Sequence, residues 1–77
     1  MRVLVRDVGS GRYLGKGERW TRLIDKAYDF GNSSRAMEAA LRCDREQLEI
    51  VLAFEEHRYD MTLQVKREGP HRRTPEK

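Results

Sequence analysis

Two stretches of alternating side chains constrain this chain more than anything else in it. Leu48, Ile50, Leu52 and Phe54 recur at every second position, and so do Tyr59, Met61, Leu63 and Val65. A period of two is the mark of an extended strand with one buried face. Folding the two runs together with Phe54 opposite Tyr59 sets Leu52 against Met61, Ile50 against Leu63 and Leu48 against Val65. That register gathers all of these side chains on one face, and a slip of one residue would turn a whole strand the wrong way. It also brings Glu55 opposite Arg58 around a two-residue turn, Glu56-His57.

An isolated hairpin is marginal in water, so the remaining chain must supply more sheet or a covering helix. In Met1 to Val8, Val3 and Val5 share one face with Met1, while Arg2 and Arg6 flank Leu4 on the other, which predicts a strand. Gly9-Ser10-Gly11 ends it. Arg12 to Leu14 and Glu18 to Thr21 are short extended runs around Gly15-Lys16-Gly17, and the two glycine triplets offer the positive φ of tight hairpins. The result is a three-stranded meander. Residues 22–30 read as irregular structure, with Asp25, Tyr28 and Asp29 fitting a loop. Gly31-Asn32-Ser33-Ser34 then forms a turn and N-cap in which serine oxygens accept from the first free amides of a helix over residues 34–43. Ala36, Met37, Ala40 and Leu41 fall on one stripe of that helix, and the alanines let it lie close to a sheet.

A chain of 77 residues makes one small domain. Residues 66–77, KREGPHRRTPEK, contain nothing apolar and are expected to be a disordered basic tail beyond a folded unit of residues 1–65. The tail holds five of the 16 basic and two of the 13 acidic groups, leaving eleven of each in the folded part, so the net charge of +3 belongs to the tail. Inside the folded part, residues 1–35 carry eight basic and four acidic groups and residues 36–65 carry three and seven. The longest apolar run, Ile50 to Phe54, is far short of the roughly 18 residues a membrane span needs, and the apolar run in Met1 to Arg6 is too short for a signal peptide. A cytoplasmic protein without membrane attachment is expected.

Little in the chain points to chemistry. One cysteine excludes an internal disulfide, and with only His57 and His71 beside it no closely spaced Cys/His set exists to hold zinc. Gly11 to Gly17 superficially suggests a phosphate loop, yet only three residues separate Gly11 from Gly15 and Gly17 follows the lysine where Ser or Thr would ligate magnesium. Glu55, Glu56, His57 and Asp60 cluster at a hairpin tip, where a solvated turn supplies neither burial nor a fixed partner to shift a pKa. Cys43 lies near a helix C-terminus, where the dipole disfavours a thiolate. The expectation is a non-enzymatic domain with no cofactor and no metal.

Trp20 is the aromatic residue on which function turns. Facing inward, it leaves Arg2, Leu4, Arg6, Arg12, Leu14, Arg19 and Thr21 as a basic outer sheet surface with an apolar centre. Facing outward, it becomes a stacking platform beside Arg22. Either arrangement suits nucleic acid, through phosphate contacts or base stacking. Gly11, Tyr13, Gly17 and Trp20, then Ala27 with Asp29-Phe30, then Ala36, Ala39 and Ala40 form a series that resembles a pattern in small uncharacterised bacterial and phage proteins. It is more remotely similar to the three-strand-plus-helix DNA-binding domains of ethylene-response factors and integrase arms. That resemblance implies sheet arginines entering the major groove, here Arg12, Arg19 and Arg22.

The sequence therefore predicts an α+β fold, an antiparallel sheet of meander and hairpin with one helix on one face. The expected function is binding of another protein, self or other, along a sheet edge. The alternative is sequence-tolerant nucleic-acid binding through Arg2, Arg6, Arg12, Arg19, Trp20 and Arg22.

Overall fold

A computed structural model describes residues 1–65, and the expectation for the tail lies outside the described residues. The fold is α+β, a five-stranded antiparallel open sheet with one α-helix. The meander is β1 (Arg2–Asp7), β2 (Arg12–Leu14) and β3 (Trp20–Thr21); the helix α1 is Ser33–Arg42; the hairpin is β4 (Leu48–Ala53) and β5 (Met61–Gln64). Across the sheet the order is β3-β2-β1-β4-β5. The two central strands, β1 and β4, weld meander to hairpin along a register running from Arg2↔Ala53 to Asp7↔Leu48.

The hairpin register is the expected one, with Leu52↔Met61 and Ile50↔Leu63 paired, and the Val65 amide donates to the Leu48 carbonyl at 3.1 Å. Its tip is different. β4 ends at Ala53 and β5 begins at Met61, with a 3₁₀ turn over His57–Tyr59 in place of a two-residue turn at Glu56-His57. The reason lies in Asp60, whose carboxylate accepts the Phe54 amide at 2.7 Å and lies 3.1 Å from His57 Nδ1. A side chain thus replaces the ladder bond that would otherwise continue the strands.

Both faces of the sheet are covered. On one, Val3, Val5, Leu14, Leu48 and Ile50 pack with Ala36, Ala39 and Ala40 of α1. The buried helical stripe is rotated from the expected one: Ala39 turns inward and Leu41 is exposed, so only methyl groups separate much of the helix from the sheet. Asn32, not a serine, caps the helix, its Oδ1 accepting the Arg35 amide at 2.9 Å. On the other face Leu4, Val51 and Ala53 pack with Ala27, Tyr13 and Ile24. This corrects the expected solvated outer surface. Leu14 belongs to the helix side, and Leu4 is fully buried beneath the segment that follows β3.

That segment, residues 22–30, is irregular as expected apart from a 3₁₀ turn at Ile24–Lys26 and a bridge Gly15↔Ala27. β1 and β2 pair only at Arg6↔Tyr13 and Asp7↔Arg12, which leaves the start of β1 without a neighbour on that side. The segment fills the gap: Tyr28 N–H donates to Leu14 O at 3.0 Å, Phe30 N–H to Val3 O at 2.8 Å, and the Asp29 carboxylate accepts the Val3 amide at 2.9 Å. Passing there, the chain moves from the face holding Ile24 and Ala27 to the face holding Phe30 and α1. Gly15 makes the crossing possible, because a Cβ there would meet the Arg19 and Lys26 carbonyl oxygens at 2.9 and 3.1 Å. Beyond it, Gly17 and Glu18 take successive positive φ values of 68° and 62° to turn the chain into β3.

Candidate functional site

The arginines proposed for nucleic acid do not share a surface. Arg2 donates to the Ala27 carbonyl at 2.7 Å. Arg6 is bound to Glu49, with Nε 2.6 Å from Oε2, and its guanidinium lies 5.7 Å from the Tyr13 ring centre. Burial works against the Arg6 charge, but the Glu49 and Tyr13 contacts outweigh it and raise its pKa further. Arg12 stands opposite Asp7 in the β1–β2 register, on the helix side, so it is separated by the sheet from Arg6. Arg19 and Arg22 are exposed and flank β3. Sequence alternation had put Arg2, Arg6 and Arg12 together; the pairing Arg6↔Tyr13 shows that β2 enters the sheet with the opposite parity.

Trp20 faces the helix side, paired with Leu14, and is half-buried. The Arg45 guanidinium stacks over it at 4.5 Å and reaches on to Asp7 Oδ2 at 2.6 Å. Asp7 is a buried carboxylate that also accepts from Ser10 Oγ at 3.0 Å and the Gly9 amide at 3.1 Å. Burial alone would raise its carboxyl pKa; the hydrogen bonds from Ser10, Arg45 and Gly9, with the Arg45 charge, outweigh it and hold the group below the usual carboxylate range. Nothing in the sequence linked Asp7 to Arg45. The nearby Ser10, three residues on, was the one local sign that Asp7 closes a turn.

Between the turn after β2 and the end of α1 lies a cleft of about 480 Å³, with Trp20, Tyr28 and Phe30 on its walls. Its size suits a small ligand. Its charges do not select one: Lys16 and Arg42 are matched by Glu18 and Asp44, and Arg45 is already engaged with Asp7. Cys43, at its edge, directs Sγ to the Ala39 carbonyl at 3.3 Å. Among the described residues no group of three or more His, Cys, Asp and Glu could hold a metal ion, and no helix is long and apolar enough to cross a membrane.

The sheet edges differ sharply. β3 is two residues long and bounded by Arg19 and Arg22, which is how natural sheets blunt an edge. β5 is longer, every residue in it is exposed, and from Met61 to Val65 it carries no charge and no proline. α1 packs over β1 and β4. Leu52 and Val65 are half-buried at the margin of that core, while Met61 and Leu63 stay 56% and 42% exposed. Alternation puts Met61 on the same apolar face as Leu52, but the alanine-rich helix packs over β1 and β4 and does not shelter the outermost strand. The Val65 amide points to β4, so by strand alternation those of Leu63 and Met61 do too, and the amides and carbonyls of Thr62 and Gln64 point outward. No known protein family, curated protein or solved structure matches the chain.

Proposed function

We propose that this chain is a non-enzymatic interaction module that takes a protein strand on the outer edge of β5. The observation that carries the reading is the exposed, uncharged β5, with outward backbone groups on Thr62 and Gln64 and an uncovered apolar margin at Met61 and Leu63. Strand addition uses both features, since backbone bonds give affinity and alternate side chains give selectivity. The compartment proposed with it is the cytoplasm, where the single Cys43 remains a thiol. Nucleic-acid binding draws less support, because Arg2 and Arg6 are committed to Ala27 and Glu49.

Capture experiments from the source cell separate the two. Partner capture should survive nuclease treatment and raised salt, and Leu63→Lys, which places a charge on the apolar margin, should reduce it strongly. Phosphate contacts behave oppositely, weakening steeply as salt rises. Capture that disappears with nuclease and is indifferent to Leu63→Lys would refute the reading.

A further inference from the structure

We infer that the strand taken by β5 is the β5 of a second copy of this chain, paired antiparallel about Leu63. The inference rests on β5 being the interaction edge and adds the partner and the register. Two identical antiparallel strands in one sheet are related by a two-fold axis perpendicular to it, so every residue must face one on the same side of the sheet. Centring the axis on Leu63 satisfies this. Leu63 meets its own copy, Met61 meets Val65 and Thr62 meets Gln64, apolar with apolar on the helix side and polar with polar on the other.

The backbone agrees with that choice. Thr62 and Gln64 are the residues whose amides and carbonyls point away from β4, and in this register they exchange N–H···O bonds with each other across the interface. Shifting the axis to Thr62 would set Gln64 against Asp60, whose carboxylate already holds the Phe54 amide, and Val65 against Tyr59, which lies in the 3₁₀ turn and not in the strand. Charge also favours self-pairing here. A homotypic contact sets like charges near each other across the axis; Met61 to Val65 has none, whereas pairing at β3 would bring Arg19 and Arg22 together with their copies. Both helices then lie on the same face, and Met61 and Leu63 become the floor between them.

The test is cysteine cross-linking in the full chain with Cys43→Ser, which keeps a donor for the Ala39 carbonyl. Leu63 and its copy form a non-hydrogen-bonded pair, whose Cα separation of about 4.5 Å lies within disulfide reach. Under oxidised glutathione, Leu63→Cys should give a disulfide dimer about tenfold faster than Met61→Cys alone, because pairing holds its thiols together. A mixture of Met61→Cys and Val65→Cys proteins should cross-link as Leu63→Cys does. These positions are exposed or half-buried, so the variants keep the fold. Equal rates at all three positions, or no dimer, would overturn the self-pairing. If nuclease-resistant capture still depends on Leu63 in that case, the edge serves a different protein; if capture is lost as well, the interaction reading itself fails.

Discussion

Ile50→Ala is expected to unfold most of the protein at 25 °C. Ile50 is fully buried on the helix side of β4, among Val3, Val5, Leu14 and Leu48. Truncating such a side chain costs about 2–5 kcal/mol, and a domain of this size seldom has more than ~3–5 kcal/mol to lose. The sheet cannot collapse around the void, because β1 and β4 are held rigid along their whole register. Urea titration followed by circular dichroism measures the effect. Leu52→Ala, on the same face of β4, should cost less, since Leu52 is only half-buried. An Ile50→Ala protein with wild-type stability would mean that the core lies elsewhere.

Asp7→Ala should cost about 1.5–3 kcal/mol, the range for hydrogen bonds to a charged group, toward its lower end because Arg45 is partly exposed. The variant removes the acceptor of the Gly9 amide and of Ser10 Oγ, and the Asp7 contact that Arg45 makes from its place over Trp20. Asp7 also predicts a pH dependence. Its carboxyl is held below its ordinary value in the folded state, so its contribution is complete above the unfolded value, about 3.9, and is lost as pH falls below that through the depressed native value. The gap in thermal midpoint between wild type and Asp7→Asn should therefore be wide at pH 7 and shrink in acid. Asp29, held low by the Val3 and Gly31 amides, and Asp60, held low by the Phe54 amide, add to the same acid limb and remain in the variant. A gap that stays constant with pH would show that the Asp7 charge is irrelevant.

Local periodicity made some of this readable in advance. The β4–β5 register followed from alternation alone, because a one-residue slip would have exposed Ile50. Alternation describes one face of a strand, however, and Val51 and Ala53 are buried on the other because β4 is central and the segment at Ile24 and Ala27 covers it. The buried helix stripe takes Ala39 in place of Leu41, because close approach to the sheet favours the smaller side chain. The binding edge depended on strand order, which no local pattern encodes. Once β1 takes β4 as its neighbour, β3 and β5 become the edges, and Arg6 finds Glu49 forty-three residues away.

The most direct test of the β5 edge is amide hydrogen exchange, residue by residue, over a range of protein concentrations. The Leu63 and Val65 amides, which face β4, should be protected throughout. Those of Thr62 and Gln64 should exchange freely in dilute solution and become protected as concentration rises. Thr62 and Gln64 amides that remain unprotected at every concentration, while protection grows instead around Trp20 or at β3, would contradict the account.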